Sequence, residues 1–275
     1  MAGPVDSYAV MGNPIAHSKS PVIHTLFADQ TGQNLRYTAN RVETGGFQKA
    51  VEDFFKNGDL GLSITVPFKE EAWQLAEKRT SRAEKAGAVN TLWQDEQGQL
   101  HGDNTDGLGL VADLKENNGV PIKGARILIL GAGGAVRGVL EPILAEQPAE
   151  LVIANRTLSK AETLVELFPG MPISSSSFET IEGRFDLIIN GTAASLQGAL
   201  PPVPEPIVDQ NTCCYDMMYG SEETVFNRWC REQGAAKTID GLGMLVEQAA
   251  EQFAIWRGVR PETGKVLDLL RRDIT

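Results

Sequence analysis

Residues 126–140, RILILGAGGAVRGVL, limit what this chain can fold into more than any other stretch. The run of Ile and Leu ends at a glycine, is too short for a helix, and reads as a strand buried on both faces. Gly131, Gly133 and Gly134 then let the backbone turn sharply and approach a bulky anion, with Ala132 and Ala135 between and after them. Residues 135–145 open a helix whose first amides face that anion. Strand, glycine turn and helix in this order make a dinucleotide fold. Val136 occupies the third fingerprint position, where glycine or alanine normally lets the helix pack closely.

A second strand, 150–154, ends in Asn155-Arg156-Thr157, where the ribose-reading residue of such a fold belongs. NAD sites usually place Asp or Glu there. This chain has no acid at that point, and Arg156 with Thr157 and Lys160 suits a 2′-phosphate held by charge-assisted hydrogen bonds. The expected cofactor is therefore NADP; the competing reading is a solvated loop between strand and helix.

The chain has 275 residues, 42% of them hydrophobic, enough for two ordinary domains. A formal net charge of −11 argues against a nucleic-acid backbone or an anionic membrane as general partner, so an anionic ligand needs a local basic pocket. Cys213, Cys214 and Cys230 are odd in number and lack metal-ligand spacing, and the three histidines form no metal motif with them. They read as reduced thiols. The first residues, MAGPVDSYAV, lack a basic stretch followed by an apolar core, and no apolar run approaches the ~18 residues of a membrane span. The expectation is a cytoplasmic protein, monomer or homodimer, with a small-molecule substrate, no metal, no nucleic acid and no membrane.

Along the chain, a strand at 7–12 precedes a loop, NPIAHSKSP, and a helix over 21–30 with Ser20 as N-cap and Val22, Ile23, Leu26 and Phe27 as its buried face. A strand at 35–42, a helix at 47–56 and a strand at 62–66 follow. Strand-helix-strand-helix-strand at these lengths predicts a mainly parallel sheet whose ligands sit beyond the carboxyl ends of its strands. Ser81 and Glu84 form a capping box, and 91–101 reads as a hairpin. A helix at 108–117 leads to the central glycine stretch. Beyond it come a helix at 159–168, a serine run at 174–177 taken as a connection, strands at 185–190 and 212–217, a Pro-rich loop at 200–206, and a helix at 222–233 capped by Ser221. The first domain is 1–105, completed by helices in 241–275, and the Rossmann-type domain is 106–240, with Asp106 and Gly241 beside the crossings.

Lys69 follows ITVPF, where Pro67 ends a strand and sends the next residues into a loop. Alone, it is either a solvated charge or part of a pocket. Asn90-Thr91 and Asp103-Asn104-Thr105-Asp106 in the same half are short polar residues without a hydrophobic purpose, which suits a polyhydroxylated ligand. Ser18 and Ser20 either donate to a carboxylate or cap a helix, with capping the stronger reading for Ser20.

The stretches GNPIAHSKSP, ITVPFKE, GAVNT, GDNTDG, GAGGA, ANRT, CYDMMY and DGLGMLVEQAA, in this order and spacing, resemble the bacterial shikimate dehydrogenase family along nearly the whole length. The resemblance implies NADPH-dependent reduction of 3-dehydroshikimate to shikimate, with Lys69 and Asp106 as the catalytic pair. It implies Ser18, Ser20 and Tyr215 as carboxylate binders, and Thr65, Asn90, Asp106 and Gln248 as hydroxyl binders. It places Gly241 and Met244 with the glycine turn and the Arg156 loop on the cofactor side. Two departures stand out: Ser63 where many members have Asn, and NGTAAS at 190–195 in place of N-A-T-S-S-G. The alternatives are a quinate/shikimate dehydrogenase using NAD(P), often NAD, and a catalytically silent NADPH-binding sensor.

Overall fold

The structure is a computed structural model that describes residues 5–194, 198–204 and 207–274. The chain forms two compact units: residues up to Gly109 together with Val246–Asp268, and Leu110–Leu245 together with residues from Leu269 on. The divisions fall inside the helices Asp106–Ala112 and Leu242–Arg257, a few residues beyond Asp106 and Gly241. The helix Gly264–Ile274 ends with the second unit, where Arg271 donates to both carboxylate oxygens of Asp240.

The first unit carries strands β1 (Asp6–Gly12), β2 (Leu35–Arg41), β3 (Gly61–Ile64), β4 (Lys78–Arg79), β5 (Thr91–Gln94) and β6 (Leu100–Asp103). They form one sheet in the order β2-β1-β3-β5-β6-β4. The β1–β2, β1–β3 and β4–β6 pairs are parallel, and the hairpin read at 91–101 supplies the antiparallel pairs of β5 with β3 and β6. Alternation along β1 sends Ala9 and Met11 to one face, against Phe47, Val51, Phe54 and Phe68, and Tyr8 and Val10 to the other, against Ile15 and Tyr37. Gly61 is glycine because a Cβ there would come within 2.7 Å of the Trp256 ring.

Several local details differ from the sequence reading. The first helix, Ser20–Thr31, starts one residue earlier, and Ser20 is its first residue rather than its cap; its amide donates to Ser18 Oγ at 3.3 Å. The buried face of this helix is Ile23, His24, Phe27 and Ala28, while Val22 is exposed, so the helix is rotated to bring a histidine inside. Thr80, not Ser81, caps the helix Ser81–Ala86, and Thr224, not Ser221, caps Val225–Glu232, each accepting from a backbone amide three residues on.

His24 stacks on Tyr37 with ring centroids 4.2 Å apart, and neither ring nitrogen makes a hydrogen bond. Burial lowers its pKa to about 3, with the nearby Gln252 side chain offsetting part of the effect. Native His24 is therefore neutral, whereas the unfolded imidazole titrates near 6.5. Below that pH the unfolded chain binds a proton that the native protein refuses, so stability falls as the pH drops from about 6.5 towards 3. At pH 5 this group should cost about 2 kcal/mol relative to pH 7. His24→Phe keeps the ring and removes the proton site, so urea unfolding at pH 7 and pH 5 should show a shallower decline for the variant. Identical declines would exclude His24 as a source of acid sensitivity.

The second unit carries β7 (Arg126–Leu130), β8 (Glu150–Ala154), β9 (Ile173–Ser176), β10 (Leu187–Asn190), β11 (Cys213–Asp216) and β12 (Lys237–Asp240). All pairings are parallel, in the order β12-β11-β10-β7-β8-β9, which is the doubly wound dinucleotide arrangement with its switch point between β7 and β10. Ile127 and Ile129 pack on one face and Leu128 and Leu130 on the other, as a strand covered on both sides requires. The serine run is an edge strand, β9, rather than a connection, and β12 forms the opposite edge. Among the described residues, no helix is long and apolar enough to cross a membrane.

Candidate active site

The first unit gathers Lys69, Asn90, Thr105, Asp106 and Gln248 into one hydrogen-bonded cluster. After β3 the chain turns: the Thr65 amide donates to Met11 O at 3.0 Å and the Phe68 amide to Thr65 O at 3.0 Å. Phe68 is buried and stacks on Phe47 at 4.8 Å, which pins the turn to the core and starts the helix Lys69–Leu75 at the lysine. Lys69 Nζ donates to Asp106 Oδ2 at 2.6 Å. An ammonium carries three protons, so this pairing leaves two for a solute at its partly exposed tip.

Asp106 is set by the segment before it. Asp103 is buried, accepts from Thr80 Oγ1 and takes the Arg82 guanidinium through Nε at 2.8 Å and Nη2 at 2.5 Å. Asn104 donates to Ala88 O and accepts from the Asp106 amide. The second carboxylate oxygen of Asp106 accepts from Asn90 Nδ2 at 2.9 Å. Asn90 also donates to Thr105 Oγ1 at 3.0 Å and accepts from the Thr105 amide at 2.9 Å, and Thr105 donates to Gln248 O at 3.1 Å. Thr65 stands half-buried over Gly12, where any Cβ would meet its methyl group. Ser18 is half-buried and Ser20 buried at the start of the first helix.

Tyr215 does not belong to this set. It lies within β11 of the second unit, fully buried, and its hydroxyl donates to Asp113 Oδ2 at 2.7 Å. Burial and the Asp113 carboxylate push its phenol well above the ordinary range, so it stays protonated and committed to that acid. A strand covered on both faces leaves no side chain for a solute. Tyr219 of the same CYDMMY stretch lies past the carboxyl end of β11, the end at which ligands of such sheets sit, and is 36% exposed. Its position after the strand was the available signal.

In the second unit the glycine turn has the shape an anion needs. Gly131 has φ +103°, and a Cβ on it would press on Thr192. Gly133 and Gly134 are exposed, and side chains there would meet only open space; the helix Gly134–Ala145 begins at that point. Ala132 is half-buried and Ala135 exposed. Val136 is accommodated by a glycine elsewhere: a Cβ on Gly191, after β10, would lie 2.3 Å from its Cγ2. The small residue that the fingerprint lacks is thus supplied from across the switch point. Asn190 shapes that loop by accepting from the Thr192 amide and hydroxyl and donating to Asp216. Ser195 lies outside the described residues, as does Pro206.

At the end of β8, Asn155 Nδ2 donates to Thr157 O at 2.8 Å, which folds the loop and leaves Arg156, Thr157 and Lys160 exposed. Gly241 is buried because its Cα lies against the backbone of Met217, where a Cβ would come within 2.2 Å of the carbonyl oxygen. Met244 is half-buried. Among the described residues, no group of His, Cys, Asp and Glu could hold a metal ion.

The chain matches three family models: "Shikimate dehydrogenase substrate binding domain" over residues 10–92, "Shikimate / quinate 5-dehydrogenase" over 113–198, and "Shikimate 5'-dehydrogenase C-terminal domain" over 241–271. It is 58% identical over 272 residues to the shikimate dehydrogenase (NADP(+)) of Marinobacter nauticus, covering 98% of this chain and 99% of that one. Among solved structures it is similar to an Ael1 enzyme from Pseudomonas putida, at 46% identity and a TM-score of 0.93, covering 96% of this chain and 98% of that one. It is also similar to the shikimate 5-dehydrogenase of Thermus thermophilus solved with NADP(H) and shikimate, at 30% identity and a TM-score of 0.87, covering 98% and 99%.

Proposed function

The chain belongs to the shikimate dehydrogenase family, and from that premise we propose that Lys69 and Asp106 carry its NADPH-dependent reduction of 3-dehydroshikimate to shikimate. The protein is an NADP-dependent oxidoreductase acting on a CH–OH group. The observation that carries the residue assignment is the 2.6 Å pair of Lys69 with Asp106, itself held by Asn90. We assign substrate binding to the first unit and NADP binding to the second.

Bound NADPH supplies the hydride. As the carbonyl carbon of the substrate becomes tetrahedral, its oxygen gains negative charge, and the Lys69 ammonium stabilises that charge and delivers the proton that completes the alcohol. In the reverse direction the neutral amine takes the proton back. Asp106 orients Nζ through one oxygen and fixes its own second oxygen on Asn90, so the pair needs no rearrangement when charge develops. Thr65, Asn90 and Gln248 are assigned to the ring hydroxyls, and Ser18 and Ser20 to the carboxylate. Gly131 to Ala135 cradle the pyrophosphate, and Arg156, Thr157 and Lys160 take the 2′-phosphate with Asn155 shaping their loop. Gly241 and Met244 complete the cofactor side. The cytoplasm suits its three reduced, buried thiols.

The test is turnover of NADPH with 3-dehydroshikimate, run beside quinate with NAD. Consumption of NADPH by 3-dehydroshikimate at a kcat/KM at least about 10⁴ M⁻¹s⁻¹ is expected. Absence of turnover, or equal efficiency with quinate and NAD, would overturn the reading.

A further inference from the structure

A buried chain of hydrogen bonds in the first unit runs from Tyr37 to the main chain of Asn90, apart from the Lys69–Asp106 pair. Tyr37 of β2 donates from its hydroxyl to Ser63 Oγ of β3 at 2.5 Å. Ser63 donates to Gln252 Oε1 at 2.7 Å, and Gln252 Nε2 donates to the main-chain oxygen of Asn90 at 2.9 Å. Tyr37, Ser63 and Gln252 are all buried. At the other end the Tyr37 hydroxyl meets the Ser20 side chain, and burial holds the phenol protonated.

The chain has one direction. A carbonyl oxygen only accepts, so the amide nitrogen of Gln252 must face Asn90 and its oxygen must face Ser63. Ser63 must then spend its proton on Gln252 and accept from Tyr37, and Tyr37 must spend its proton on Ser63. The Tyr37 oxygen is left as an acceptor open to the nearby Ser20 hydroxyl. Ser18 is held from the other side by the Ser20 amide. Stacking of His24 on Tyr37 sets the plane of the phenol ring. Ser63 fits the middle because a short hydroxyl side chain both accepts and donates between partners 2.5 and 2.7 Å away. The longer asparagine would drive Tyr37 and Gln252 apart.

We propose that Tyr37, Ser63 and Gln252 are positioning residues that tie Ser20, at the carboxylate end of the substrate subsite, to Asn90 at its hydroxyl end. The relay rests on the assignment of Ser20 and Asn90 as substrate contacts. It acts on binding rather than on proton delivery, because Gln252 ends on the main-chain oxygen of Asn90 and not on the side chain that holds Asp106. Cutting one neutral bond in it should raise the substrate KM about fivefold and leave kcat and the NADPH KM within about twofold.

Steady-state kinetics of Ser63→Ala, Tyr37→Phe, the double variant, Ser63→Thr and Ser20→Ala test this. The relay requires the KM rise in both single variants, no further rise in the double variant, and recovery in Ser63→Thr, which keeps the hydroxyl. A Ser63→Ala protein with wild-type KM, or a double variant whose penalties multiply, overturns it. If Ser63→Ala fails to fold, Tyr37→Phe and Ser63→Thr decide alone: Tyr37→Phe must raise KM and Ser63→Thr must not. Ser20→Ala separates the two assignments. A wild-type KM there refutes Ser20 as a substrate contact, whereas a raised KM with an unaffected Tyr37→Phe refutes only the relay.

Discussion

Lys69→Met should lower kcat by about 10²–10⁴-fold while NADPH binding stays close to that of the unaltered protein. The ammonium meets more charge on the transition-state oxygen than on the neutral ketone, so its loss appears in turnover. Methionine keeps most of the stem's length and removes both the charge and the proton. The half-buried Lys69 leaves Asp106 with its Asn90 bond when it is replaced, so the local fold is retained. NADPH is spared because the residues assigned to it belong to the second unit. Asp106→Asn should also lose activity, and the double variant should lose less than the product of the single losses, since one member without the other does little. Single-turnover hydride transfer at saturating substrate and cofactor is the measurement. A Lys69→Met protein with an undiminished transfer rate would remove Lys69 from proton delivery.

The second large effect is expected at Arg156. Arg156→Ala should reduce kcat/KM with NADPH by about 10- to 150-fold, the equivalent of a charge-assisted bond of about 1.5–3 kcal/mol, and leave NADH use nearly unchanged. Only the 2′-phosphate needs the guanidinium, and the loop that carries it is folded by the Asn155 bond to Thr157 O, which the substitution does not touch. Arg156 is exposed, so stability should not change. Equal losses with both cofactors would show that Arg156 supports the loop rather than reading the phosphate.

The glycine turn and the parallel order of the second unit were legible because an apolar run ending in glycine is a strong local cause; Pro67 marked a turn, but β3 ends at Ile64 and Lys69 opens a helix rather than a loop. The edge strands β9 and β12 of the second unit were not legible. In β9 only Ile173 is apolar, since a strand with a neighbour on one side and solvent on the other has no need of a continuous hydrophobic run, and serines fill it. Helix caps slipped because Ser, Thr and Asp compete for the same role; Thr80 and Thr224 take it with an extended backbone that aims the hydroxyl at the third amide. Val22 and His24 exchanged places because hydrophobicity alone cannot register that a neutral imidazole stacks on a tyrosine as well as an aliphatic chain would pack. Tyr215 was misplaced for a related reason: a motif marks a segment, whereas burial within β11 decides which of its tyrosines can meet a solute.

The helix Leu242–Arg257 has a consequence for the order in which a nascent chain can acquire its structure. Trp256 donates to Leu92 O, Gln252 to Asn90 O, and Arg257 to Asp6, Tyr8 and Gln33. Every one of these partners leaves the ribosome more than a hundred residues before the group that satisfies it. The sheet of the second unit, by contrast, is complete once Asp240 has been made. All six strands of the first unit are encoded by Asp103, but the main-chain oxygens of Asn90 and Leu92 and the Asp6 carboxylate receive their partners at 252–257 only after the last strand of the second sheet has been made.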